Sequence, residues 1–238
     1  MPFILNIHYV FDLLAVASAL ISGALIYKWQ FESYMEKTAA SVGQGYFIAL
    51  SMGSIIGAFG LGTLNLYLSG EAIIGRSIIG TVFGAIITVE IYKLFKGTKG
   101  STGYIYVIPF CVLVAVGRLG CFFSGMDDYT YGIVTTRPWG LDFGDGQIRH
   151  PVQLYESMSM LLCAFGIILI LKSRTEYIIQ YGFYICIGFY ASQRFVWEFF
   201  KPYTTVIGSL NTFHIVCFML IAYSVFMSIK VKNGYRAA

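Results

Sequence analysis

The chain has little charge. Only 12% of its 238 residues are Asp, Glu, Lys or Arg, against roughly a quarter in a soluble domain. That shortage excludes an ordinary water-solvated surface. It lacks any Cys-x-x-Cys pair, and its five cysteines (Cys111, Cys121, Cys163, Cys186 and Cys217) all lie in apolar segments. No disulfide framework follows, and four of the five read as small buried hydrophobes. Histidine is scarce at three. His8 and His214 lie in helical surroundings without evident ligand spacing, so no metal site is expected. No basic residue precedes the apolar stretch Leu13–Gly23, and the first positive charge, Lys28, follows it. Despite its Ala-x-Ala, this stretch therefore reads as a retained helix with an outer N-terminus rather than a cleaved leader. No internal repeat is visible, which argues against a transporter. Nothing points to nucleic acid or to a cofactor.

Apolar residues are abundant: 57% of the chain is hydrophobic and 17% aromatic. Runs of about 20 apolar residues, the length that crosses a bilayer core, recur near 9–29, 43–68, 72–95, 103–124, 152–171, 178–200 and 205–229. The expected fold is an all-α polytopic membrane protein of about seven helices, one transmembrane domain over 1–238, with its C-terminus cytoplasmic. The second span holds a small-xxx-small pair, Gly53 and Gly57, suited to close helix packing.

Of sixteen basic residues, ten fall at inner connections or the C-terminal tail: Lys28, Lys37, Lys93, Lys96, Lys99, Lys172, Arg174, Lys230, Lys232 and Arg236. The other six are Arg76, Arg118, Arg137, Arg149, Arg194 and Lys201. They map to the outer side, against the positive-inside bias, so they need another reason to exist. The one long polar stretch is the outer loop at about 125–151. Its Asp142–Gly146 segment fits neither a kinase signature nor a calcium loop and reads as turn chemistry.

Charges inside spans are costly and mark a partner or a cavity. Arg76 sits near the outer end of the third span, Arg118 about two turns from the outer end of the fourth, and Arg149 and His150 lead into the fifth, ahead of Glu156. Arg194 and Glu198 lie one turn apart in the sixth. Recurrence in four spans predicts one outward-facing site, and arginine's planar fork suits a lipid phosphate. The plainer alternative pairs Arg194 with Glu198 and Arg149 with Glu156. Arg118 has no acidic neighbour in its own span, while Arg76 could simply reach the interface.

The stretches "GRLGCFFSG", "RPW", "RHPVQLYE" (Arg149–Glu156) and "YASQRFVWEFFKP" (Tyr190–Pro202) resemble the prolipoprotein diacylglyceryl transferases. The resemblance runs from about Gly75 to Pro202. It implies an enzyme of the bacterial cytoplasmic (inner) membrane that takes phosphatidylglycerol, moves its diacylglyceryl group to the cysteine thiol of a prolipoprotein signal peptide, and releases glycerol phosphate. By motif position it implies that Arg118 binds the phosphate, that Arg194 lies across the substrate with Tyr190 supporting it, and that Arg149, His150, Gln153, Tyr155 and Glu156 shape the outer mouth. Arg76 joins them as a substrate-binding candidate.

The chain departs from the family at four points. Ile79 stands where the family has a histidine in the third span, Cys121 replaces an asparagine, the acidic residue after the family's Asn-Gly is displaced to the Asp127–Asp128 pair, and the segment before HPVQLYE is short. His150 is then the candidate base. Cys121 reads as a packing residue or, more sharply, as a thiol near Arg118 able to take the lipid group itself. A different acceptor, or a non-catalytic lipid-binding paralogue, remains the alternative.

Overall fold

The computed structural model describes residues 7–234, except the side chains at 36, 37, 39 and 40. Of the inner cations expected above, Arg236 and the Lys37 side chain thus lie outside the described residues. The chain is all-α but for one small hairpin. Its long helices are α1 (Ile7–Ile26), α2 (Glu32–Val42), α3 (Gln44–Leu68), α4 (Ile78–Lys96) and α5 (Val107–Phe123), then α6 (Val152–Leu171), α8 (Phe183–Glu198) and α9 (Thr212–Lys232). A short α7 (Thr175–Tyr177) and a π-turn, Ile178–Gly182, lead into α8. A second π-turn, Tyr27–Phe31, joins α1 to α2.

Six helices among the described residues are long and apolar enough to cross a membrane: Ile7–Met35, Gln44–Leu68, Ile78–Lys96, Tyr104–Phe123, Val152–Leu171 and Thr212–Lys232. The protein is a polytopic, multi-pass membrane protein. The seventh expected span, 178–200, opens on the π-turn and continues as α8, and it carries the polar Gln193, Arg194 and Glu198. Large apolar side chains such as Leu13, Leu20, Ile56 and Phe165 stand exposed on the helix surfaces, as lipid-facing residues should. Lipid tails solvate leucine as well as the interior does.

The chain forms two compact units. The first comprises Met1–Gln30, Ile105–Ile178 and Val196–Pro202. In it α5 packs between α1 and α6. Close approach is possible because glycines face bulk: a Cβ at Gly120 would lie 2.5 Å from Phe11 Cβ. The Ser157 hydroxyl donates to the Ala115 carbonyl at 2.8 Å, tying α6 to α5.

The second unit comprises Phe31–Tyr104, Ile179–Phe195 and Tyr203–Ala238. Here Gly53 and Gly57 of α3 meet Gly80 and Gly84 of α4, so both helices use a small-xxx-small face. A Cβ at Gly57 would sit 2.1 Å from the Gly80 carbonyl oxygen, and one at Gly84 2.1 Å from that of Gly53. Helix association in lipid rests on such packing, because no hydrophobic drive brings helices together there. Thr88 adds a hydroxyl bond across the same seam, to the Ala49 carbonyl at 2.7 Å.

Helix α4 begins at Ser77, whose hydroxyl accepts from the Gly80 amide, and stops at left-handed Gly97. Helix α9 begins with a capping box. Asn211 Oδ1 accepts from the His214 amide and His214 Nδ1 accepts from the Asn211 amide, both at 3.1 Å. His214 is thereby used in starting a helix. Lys93, an expected inner-loop cation, is instead buried, bonded to Glu90 at 2.9 Å and to the Gly100 carbonyl at 2.7 Å.

Candidate functional site

In the first unit, the end of α5 and the start of α6 bring together a group of buried charges. Arg118 Nε lies 2.7 Å from Glu156 Oε2. The other Glu156 oxygen accepts from Lys201 Nζ at 3.0 Å, and Lys201 stands 3.9 Å from Glu198 Oε2. All four residues are almost fully buried. One carboxylate thus bridges two cations, and removing such a partner leaves a charge stranded in low dielectric.

The position of Glu156 follows from sequence locally. It is the fifth residue of α6 (Val152–Leu171), and its helix neighbours Val152, Gln153 and Met160 are buried on the same side. The acidic partner that Arg118 lacks in its own span therefore comes from the next helix. Gln153, one turn before Ser157, has no exposed surface, and neither its amide nitrogen nor its oxygen has a hydrogen-bond partner among the described residues.

The loop after α5 forms the rim. A 3-10 turn (Gly125–Asp128) precedes an antiparallel hairpin of β1 (Leu141–Asp142) and β2 (Ile148–Arg149), in which Leu141 pairs with Arg149. Asp142 Oδ1 accepts from the Gly144 and Gly146 amides at 2.8 and 3.1 Å, with both glycines at positive φ. This is the turn chemistry expected of that segment.

The alternative pairing of Arg149 with Glu156 is not formed. Arg149 instead bonds Asp145 Oδ2 through Nη2 at 2.6 Å and Nε at 2.9 Å, and it covers the Tyr131 ring at 5.1 Å. Hairpin register decides this, because β2 points Arg149 back along its own turn. The guanidinium holds the Asp145 carboxyl below its ordinary range.

His150 Nδ1 lies 3.2 Å from the Tyr155 hydroxyl, and its ring packs edge-on against Phe200 at 5.0 Å. Burial and then the charge of Arg137 push its pKa below 6.5, which favours neutral imidazole at neutral pH. Tyr155 stacks on Trp197 at 5.1 Å. The Ile133 amide donates to the Phe200 carbonyl at 2.7 Å, so the loop is fastened to the segment after α8.

A second polar group lies at the start of α1. His8 Nε2 is 2.9 Å from Asp128 Oδ1 and 3.9 Å from Cys121 Sγ. His8 Nδ1 is 3.1 Å from Asp12 Oδ2, and Arg118 Nη1 is 3.8 Å from Cys121 Sγ. Burial opposes ionisation of Asp128. Hydrogen bonds from His8 and Thr130, with the charge of Arg118, outweigh it and hold that carboxyl below its ordinary value. The reading of His8 as a histidine without ligand spacing is corrected here. Asp12 stands one turn away on the same helix, a visible signal, and Cys121 and Asp128 arrive through the fold.

The remaining predicted residues belong to the second unit. Arg194 and Tyr190 are buried on α8, and the Arg194 guanidinium lies 5.6 Å over the Phe213 ring. Arg76 is exposed just before α4. Ile79, in the place of the family histidine, is 1% exposed and serves as core. Lys201, read from sequence only as an outer cation, emerges as a main partner of Glu156.

The family model for prolipoprotein diacylglyceryl transferase matches residues 6–230. The chain belongs to the prolipoprotein diacylglyceryl transferase family. A phosphatidylglycerol–prolipoprotein diacylglyceryl transferase of Campylobacter lari is 30% identical over 71% of this chain and 63% of its own length. One from Campylobacter jejuni subsp. doylei is 26% identical over 96% of this chain and 92% of its own length. A third, from Geobacter sulfurreducens, is 33% identical over 53% and 50%. The chain thus spans under two thirds of the length of the first and third of these relatives. No solved structure matches it.

Proposed function

We propose that this chain transfers the diacylglyceryl group of phosphatidylglycerol to the cysteine thiol of a prolipoprotein signal peptide, at the outer face of a bacterial cytoplasmic membrane. The acceptor sulfur attacks the glyceryl carbon that carries the phosphoester. The carbon–oxygen bond breaks, and glycerol phosphate leaves with the electron pair. The thiol proton passes to a base.

The observation that carries this reading is Arg118. It is a buried guanidinium at the outer end of α5 whose Nε edge is fixed on Glu156. A cation fixed in place beforehand stabilises charge developing on a leaving phosphate at no reorganisation cost. Gln153, buried with unused donors and an acceptor, suits a polar headgroup beside it. His150, held neutral, suits the base. Arg149 and Tyr155 take rim roles. Arg194, with Tyr190, and Arg76 are carried from motif position as further substrate-binding candidates.

Capture of the lipid on Cys121 does not serve transfer. It would form a thioether, whose sulfur is a poor leaving group, so the lipid would stay there. The name of every relative cited above supports catalysis over a non-catalytic lipid-binding role.

The test is a mass assay of purified protein with phosphatidylglycerol and a lipobox peptide, reading glycerol phosphate and the peptide adduct. Wild-type rates retained in both Arg118→Ala and Arg194→Ala would overturn the assigned site. Glycerol phosphate release without a peptide adduct would mean another acceptor.

A further inference from the structure

We propose that His8, Cys121 and Asp128 form a binding site for a divalent transition-metal ion of the zinc class. The three side chains come from α1, α5 and the turn after α5. Each offers one ligand atom, and those atoms all lie within 4.8 Å of one another.

The histidine makes the argument. Its two ring nitrogens both face carboxylates, Nδ1 toward Asp12 at 3.1 Å and Nε2 toward Asp128 at 2.9 Å. A neutral imidazole has one N–H. Two carboxylate neighbours therefore call for a second proton or for a cation in its place. A proton between His8 and Asp128 leaves the Cys121 sulfur, 3.9 Å from Nε2, as a weak bystander. A metal ion uses all three atoms.

The spacing suits it. Tetrahedral zinc sets N···O near ~3.3 Å and N···S near ~3.6 Å, from bond lengths of about 2.0–2.3 Å. The observed 2.9 and 3.9 Å need shifts of only a few tenths of an ångström. The outer contacts also fit. Asp12 would take the Nδ1–H and fix the tautomer, as a carboxylate does behind a metal-bound histidine. The Thr130 hydroxyl donates to Asp128 Oδ2, leaving Oδ1 for the ion. Arg118 Nη1 lies 3.8 Å from the sulfur.

Mixed S, N and O donors select zinc or cobalt over magnesium or calcium, which take oxygen shells. Three protein ligands leave a fourth position for water. Asp12 and the loop after α5 are solvent-accessible, and the side chains of His8 and Asp128 are 20% and 12% exposed, so an ion has a way in. Binding releases the thiol proton from Cys121.

The probe is Co²⁺, added to the purified full-length protein in detergent and read by its absorption spectrum. The expected result is one equivalent of tetrahedral Co²⁺ with a sulfur-to-metal charge-transfer band, displaced by Zn²⁺. Cys121→Ser should abolish that band, and Asp12→Asn should keep it while weakening affinity about 10–100-fold. Absence of binding, with a doubly protonated His8 ring by NMR, would overturn the site in favour of an imidazolium–carboxylate pair. A band unchanged in Cys121→Ser would also overturn it, by moving the metal to other cysteines. Neither readout depends on transferase activity.

Discussion

At the scale of single residues, the first unit is organised around Glu156, because two cations share its carboxylate. Glu156→Gln should destabilise the protein by about 3–5 kcal/mol, since it strands buried charges. Thermal unfolding in detergent checks this. Arg118→Lys keeps the charge but loses the planar fork. It should lower the transfer rate more than it lowers stability, which a rate assay beside a melting curve would separate. His150 gives the pH dependence. Burial and the charge of Arg137 lower its pKa from the ordinary value, so it stays neutral into more acid solution than an unperturbed histidine. If it is the base, activity should fall on the acid side only, at a lower pH than an unperturbed histidine would set. His150→Gln should remove that limb from the pH–rate profile, and an unchanged profile would assign the base elsewhere.

At the scale of elements, the seam between α3 and α4 depends on missing side chains. Gly57→Leu adds bulk where even a Cβ would meet the Gly80 carbonyl oxygen at 2.1 Å. The helices must separate, and the melting temperature of the purified protein should fall by several degrees or the protein fail to accumulate. Gly60→Ala is the control on the same helix, since nothing lies within 4 Å of a Cβ there. It should leave stability unchanged or slightly raised, as alanine favours helix over glycine by about 1 kcal/mol. Ser77→Ala removes the α4 cap and should cost about 1 kcal/mol.

At the scale of the whole molecule, six helices among the described residues are long and apolar enough to cross a membrane, and the chain forms two compact units. The buried charged groups of the first lie toward the start of α1, the end of α5, the start of α6 and the segment after α8. That asymmetry agrees with a reaction on a lipid headgroup at one leaflet. With the outer loop placed outside, a cysteine introduced at exposed Gly144 should react with a membrane-impermeant thiol reagent in intact cells. One introduced at Lys99, in the connection after α4, should react only after permeabilisation. The reverse pattern would invert the orientation.

The helices were legible in the sequence because a bilayer demands long apolar runs, and length and hydropathy are local properties. The Gly53–Gly57 seam was legible for the same reason, as small residues at one-turn spacing. Arg118 and Glu156 could each be singled out, since a charge in an apolar helix is conspicuous. Their pairing could not, because Glu156 arrives from another helix and hairpin register assigns Arg149 to Asp145. Lys201 was marked as an out-of-place cation, but its partner could not be read from the sequence, and Asp128 gave no local sign that it meets His8. The sequence by itself determined which segments enter the membrane and which residues are too costly to be there without a purpose. Only the tertiary structure decided which of them meet, because a pair 38 residues apart in the chain is set by helix packing and loop closure, not by any local preference.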